Sequence, residues 1–262
     1  MWVEKLARLG YIVKGGVYGL IGILAVQAAL SSGGKTTDSK GAIRTIAAQP
    51  FGKILLIAVA IGLFGYALWR LVEAIEDPEN SGKPEAKDII KRIGYFISGL
   101  IYGALAFDAG RIALSAGGGG GGKSKAEWTA IVMQKPFGRW LIGTIGAIII
   151  GVGVYRLYHA FKVKFRKRLD LSELSSTEES WVINISRFGI AARGVVFLLI
   201  GGFLIRAAKQ FDPNEVKGLD GILQTIAQQP FGKFLLLLVA LGLVAYGAYL
   251  WVQARYRRIK TS

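Results

Sequence analysis

Long apolar runs separated by short charged stretches set the pattern of this chain. Residues 234–254 hold 21 positions without a charge, and residues 54–69 hold 16, extended by Leu71 and Val72. A helix needs roughly 20 mostly apolar residues to cross a hydrocarbon core. The pattern predicts transmembrane helices at about 8–30, 53–75, 92–114, 138–160, 187–208 and 232–254. The expected fold class is all-α, a polytopic membrane protein.

The spans fall into three copies of one unit. Aligning Gly10, Gly94 and Gly189 brings Arg8, Arg92 and Arg187 together two places earlier, and matches Gly15, Gly99 and Gly194 as well as Tyr18, Tyr102 and Phe197. Each first helix leads into a polar connection, a short segment with helical apolar spacing, a PFG motif and a second helix. The repeats are expected at 1–78, 79–165 and 166–262, separated by hydrophilic linkers at 76–91 and 162–186. Two spans per unit keep all copies in one orientation, so the expected arrangement is a pseudo-threefold one about the membrane normal.

Composition narrows the class further. The 262 residues are 52% hydrophobic and 19% charged, with mean hydropathy +0.43. The absence of cysteine excludes disulfides, thiolate nucleophiles and cysteine metal sites. The net charge of +16 sits where apolar runs end, which fits anionic lipid headgroups rather than nucleic acid. A signal-peptide reading of residues 1–30 is set aside because two later segments repeat that pattern inside the chain. Of 33 Lys and Arg, 19 lie on the side of the termini and linkers and 13 on the other, with Arg193 between. Both termini are therefore expected in the cytoplasm.

Polar residues at membrane depth are candidate sites by default. Asp108 is an acid inside an expected span, with Arg111 on the same helical face, and reads as an ion pair or as a cation or proton site. Lys14, Ser98 and Arg193 are equivalent across the repeats, as are Gln27, Arg111 and Arg206. For the first set, snorkelling to headgroups is the favoured reading, against a central polar ring. On the even helices Glu73, His159 and Gln253 align near the cytoplasmic mouth, with Arg70 and Arg156 three residues earlier. His159 is the only histidine, so a histidine metal site lacks partners. No catalytic motif is present, and the glycines at 117–122 read as a tether, so neither enzyme activity nor a cofactor is expected. GxxxG pairs at Gly15/Gly19 and Gly99/Gly103 read as internal helix packing.

The PFG motif recurs as Pro50, Phe51, Gly52 and Lys53, as Pro136, Phe137, Gly138 and Arg139, and as Pro230, Phe231, Gly232 and Lys233. Each copy follows a short apolar-spaced piece suited to a helix lying on the membrane surface. Proline is expected in the first turn of the following helix, with the phenylalanines anchored at the interface. The cations oppose the helix dipole. They read as headgroup anchors, or as a ring attracting anions.

Together, the R-x-G starts and PFG[KR] corners resemble a bacterial family of membrane proteins built from a triplicated two-helix domain of unknown function. Copy two departs with KPFGR and its glycine tract, and copy three lacks a tyrosine after Gly189. The resemblance covers nearly the whole chain and implies six spans in the bacterial inner membrane. The expected role is a non-catalytic scaffold or accessory protein with a membrane-protein partner. The alternative is a small-solute or ion transporter or channel along the pseudo-threefold axis.

Overall fold

A computed structural model of the chain describes residues 2–30, 36–76, 86–114 and 125–257. The six-glycine tract and most of the first linker lie outside the described residues. The helices α1 (Trp2–Leu30), α3 (Gly52–Glu76), α4 (Ala86–Leu114), α6 (Gly138–Phe161), α7 (Ser176–Gln210) and α9 (Gly232–Tyr256) are long and apolar enough to cross a membrane. Short helices α2 (Ser39–Ala47), α5 (Lys125–Met133) and α8 (Leu219–Ala227) precede the even spans. The fold is all-α and polytopic, with three two-helix repeats.

The spans form a ring. Neighbouring repeats join through α3 with α4 and α6 with α7, and α9 returns to α1 to close the circle. In lipid no hydrophobic effect draws helices together, so these seams rest on close backbone approach. A Cβ built on Gly201 would stand 2.6 Å from the Gly146 carbonyl oxygen, and one on Gly247 2.7 Å from that of Gly15. The repeated arginine has a clear task here. Arg8 donates to the carbonyls of Ala254 and Arg255 at 2.5 and 2.8 Å, and Arg92 to those of Ala74 and Ile75 at 2.7 and 2.5 Å. Each guanidinium thus satisfies open carbonyls at the negative end of the preceding repeat's last helix.

Within repeats the symmetry breaks. In repeat 1, α1 packs on α3, with a Cβ on Gly10 falling 2.4 Å from Tyr66 Cβ and one on Gly62 falling 2.2 Å from Val13 Cγ2. Repeat 3 repeats this through α7 and α9, with Gly189 against Tyr246 and Gly242 against Ala192. Repeat 2 keeps Gly94, but Ile148 stands where the others have Gly62 and Gly242, and Val152 where they have Tyr66 and Tyr246. Among the described residues α4 and α6 make no comparable contact, and Gly94 has nothing within 4 Å. Ile97 and Ile148, facing positions in the alignment, are 50% and 60% exposed. The ring therefore has five tight seams and one open one.

Two expectations need correction. The stretch 162–186 is not a hydrophilic linker throughout, because Ser175 and Glu178 form a capping box that starts α7 at Ser176. Before it, Phe165, Leu169 and Leu171 are buried, and the Asp170 amide donates to the Tyr256 carbonyl at 2.7 Å. The segment is thus docked under the end of α9.

Nor does proline enter the even helices, which begin at Gly52, Gly138 and Gly232. Pro50, Pro136 and Pro230 occupy the second position of a tight turn closed by Gly52 to Gln49, Gly138 to Lys135 and Gly232 to Gln229 bonds of 2.8, 2.9 and 2.7 Å. Phe51, Phe137 and Phe231 take the third position with φ of 61°, 62° and 58°, where a type II turn ordinarily places glycine. Their rings are 79%, 81% and 87% exposed, so they face what surrounds the bundle. The glycine follows because a Cβ on Gly138 would lie 1.7 Å from the Val132 carbonyl oxygen. Gly138→Ala is expected to lose at least about 1–3 kcal/mol in detergent unfolding. Gly151→Ala, open on all sides, gains helix propensity and is tolerated; equal behaviour of the two would refute the corner's packing.

Candidate functional site

The odd helices α1, α4 and α7 turn one face toward the ring's centre, where charges meet aromatic rings. Lys14 is 4% exposed and Arg193 8%. Both are enclosed within the bundle rather than turned outward, so the snorkelling reading is corrected. Both stand on the inward face of their helices, and tyrosines enclose them. The Lys14 ammonium donates to the Tyr66 hydroxyl at 2.8 Å and lies 4.2 Å from the ring centres of Tyr66 and Tyr102. The Arg193 guanidinium lies 4.3 Å from the Tyr18 ring and 4.5 Å from the Tyr246 ring.

A cyclic order emerges from these contacts. Lys14 of α1 covers Tyr102 of α4, and Arg193 of α7 covers Tyr18 of α1. The third place would set Ser98 of α4 over Phe197 of α7; the hydroxymethyl carries no charge, and Arg193 of α7 and Arg156 of α6 share that ring instead, at 5.1 and 5.2 Å. Edge-on pairs of Tyr66 with Tyr102 at 4.8 Å and Tyr18 with Tyr246 at 5.1 Å knit the rings together.

Charge balance gives the centre its chemistry. Glu73 is buried and already used twice, by Arg70 at 2.5 Å and Arg257 at 2.6 Å. Arg257 also donates to the Tyr11 hydroxyl. Among the described residues, no carboxylate pairs with Lys14, Arg156 or Arg193. Nε and Nη1 of Arg193, and Nε of Arg156, are buried without a hydrogen-bond acceptor. Ring faces offset part of a buried cation's cost, about 0.5–2 kcal/mol each, but an orphaned donor still costs about 1–3 kcal/mol. Such a cluster has the positive charge and the unpartnered donors that an oxyanion would need.

The remaining candidates divide by place. Asp108 pairs with Lys40 of α2 at 3.3 Å, and Arg206 with Glu215 at 3.1 Å, both at the end of the bundle that carries the connections. Arg111 lies exposed at that same end, away from Lys14 and Arg193. Lys53, Arg139 and Lys233 are exposed at the starts of their helices. Near the other end, Gln253 is buried and donates to the Tyr249 hydroxyl at 2.9 Å, while His159 is half-buried with its ring 4.7 Å from that of Tyr155. Among the described residues no cluster of three His, Cys, Asp or Glu could hold a metal.

The sequence reading singled out Lys14 and Arg193 but did not join them to Tyr66, Tyr246 or Arg257. Tyr66 and Tyr246 share a register on the even helices, a signal legible once the PFG motifs are aligned. Arg257 has no counterpart in the other copies.

Comparison with known proteins follows the repeat boundaries. The profile of a family described as Domain of Unknown Function (DUF1206) matches residues 9–77, 93–163 and 188–257. The uncharacterized protein YxxB of Bacillus subtilis (strain 168) is 38% identical over 258 residues, covering 98% of this chain and 92% of its own length. No solved structure matches.

Proposed function

The chain belongs to the DUF1206 family, whose description carries no activity, and we propose from its buried charges that it is an anion-binding membrane protein of carrier type. One observation carries this reading: Arg193 is buried at the centre of the ring with two guanidinium nitrogens lacking an acceptor. A protein that only scaffolds others has no need of this cost, since an apolar residue there would be neutral or stabilising. Lys14, Arg156 and Arg193 would hold the anion, and the tyrosine hydroxyls would orient it. Aromatic rings fill the axis at this level, which favours a closed binding site over an open pore.

In the orientation that fits this reading, both termini face the cytoplasm of a bacterial inner membrane. The basic cluster Lys162, Lys164, Arg166, Lys167 and Arg168 then meets the anionic inner leaflet. The proposal makes a paired prediction for purified protein in detergent. Inorganic phosphate or sulfate raises the melting temperature above a chloride control of equal ionic strength, by the mass-action law RT ln(1 + [L]/Kd). Arg193→Met melts no lower than wild type without oxyanion, yet loses that response. An undiminished response in Arg193→Met would overturn the assignment.

A further inference from the structure

The open seam of repeat 2 reaches this same centre. Tyr102 of α4, whose ring face receives Lys14, stands on one side of it, and Arg156 of α6, which shares the Phe197 ring with Arg193, on the other. Two of the other approaches are closed. At the end bearing the termini, Phe165 packs against Tyr249 with ring centres 5.7 Å apart, and the Arg70, Glu73 and Arg257 network fills the space beside it. Around the rest of the ring the helices touch at their glycines. The seam itself is apolar: Ile97 and Ile101 on α4, Ile148 and Val152 on α6, all exposed.

A free inorganic anion does not enter through hydrocarbon, where an isolated charge is strongly disfavoured. An acyl chain does. We propose that the seam between α4 and α6 admits an anionic phospholipid, with one acyl chain along Ile97, Ile101, Ile148 and Val152 and its phosphate held by Arg156 and Arg193. Charge complementarity selects the headgroup: Arg156 and Arg193 carry orphaned donors, and the one buried carboxylate nearby, Glu73, is already paired twice.

Depth agrees with this orientation. Arg156 lies five residues before the end of α6, roughly 8 Å along the helix axis, which is near headgroup level. Val152 and Ile148 lie successively deeper along the same helix, where a chain would run. The sequence shows how the gap is made. Copies 1 and 3 close it with a glycine on the even helix and a tyrosine four residues later, at Gly62 and Tyr66 and at Gly242 and Tyr246; copy 2 has Ile148 and Val152.

This inference rests on the oxyanion site proposed above, and one experiment separates the two. Delipidated full-length protein in mild detergent is offered phosphatidylglycerol or phosphatidylcholine of identical chains, and bound lipid is read by native mass spectrometry. Inorganic phosphate is tested in parallel by thermal shift. Wild type is expected to retain one phosphatidylglycerol with about tenfold preference over phosphatidylcholine. The variant Ile97→Ala/Ile148→Gly/Val152→Tyr, which rebuilds the closed seam of the other copies, loses the lipid and keeps the phosphate response. Ile148→Trp fills the gap without rebuilding it, is expected to give the same loss, and serves if the triple variant does not fold. Equal retention of both lipids, or undiminished retention in both seam variants, overturns the lipid inference while a phosphate response leaves the anion site standing. Absence of both responses overturns the two together.

Discussion

Glu73→Gln is expected to be the most damaging single substitution in the molecule. The Glu73 carboxylate accepts from Arg70 at 2.5 Å and from Arg257 at 2.6 Å, and both Glu73 and Arg257 are about 2% exposed. An amide of the same shape removes the negative charge and leaves two guanidinium groups facing each other in a buried space. Breaking a buried pair in this way costs about 3–5 kcal/mol, mostly as the penalty on the charge left behind. The loss is larger than that of the ion pair itself, so deleting the opposing charge should restore part of it. Glu73→Gln/Arg257→Met is expected to be more stable than Glu73→Gln alone, a coupling that a double-mutant cycle of unfolding in detergent reads directly. If the double variant is as unstable as the sum of its parts, the pairing is not what holds this end of the bundle together.

The second large effect separates equivalent residues by their surroundings. Gly10, Gly94 and Gly189 occupy one position in three copies of one repeat. A methyl group at Gly10 would meet Tyr66 at 2.4 Å, and at Gly189 the backbone of Tyr246 at 2.3 Å, while at Gly94 it meets nothing within 4 Å. The obstructing atoms are backbone and Cβ, which cannot swing aside, so whole helices must separate. Gly10→Ala and Gly189→Ala are each expected to cost at least about 1–3 kcal/mol. Gly94→Ala is expected to be neutral or slightly stabilising, because alanine is the better helix former by about 1 kcal/mol. Three equal losses in thermal unfolding would mean that repeat 2 closes like the others, and the open seam would not exist.

These contrasts show which features could be read along the chain and which could not. Six spans, three copies and a surface helix before each corner follow from apolar run lengths and recurrence, since lipid forces every buried backbone into helices. The early start of α7 was also written in sequence, in the Ser175 and Glu178 pair, but the charges of that stretch hid it. The turn conformation of Phe51, Phe137 and Phe231 was not legible, because φ near +60° is rare for a bulky residue and arises from the packing of two helices around a glycine.

The centre was half legible. Lys14 and Arg193 stood out as charges inside apolar runs, yet periodicity gives a face and not a destination. Outward leaning toward headgroups and inward burial under tyrosines share the same spacing. Helix packing decided between them, and it depended on glycines whose partners lie more than fifty residues away, as Gly10 does from Tyr66. The asymmetry of repeat 2 was visible as Ile148 and Val152 in place of glycine and tyrosine. Its consequence needed the ring.

The anion site at that centre is most directly tested by a structure of the protein soaked or prepared with tungstate, an oxyanion whose metal locates itself by anomalous scattering or density. The expected result is one ion inside the ring, within hydrogen-bond reach of the Arg193 guanidinium and of Arg156, and none in Arg193→Met. Tungstate found only at the exposed Lys53, Arg139 and Lys233, with the centre unchanged, would contradict it.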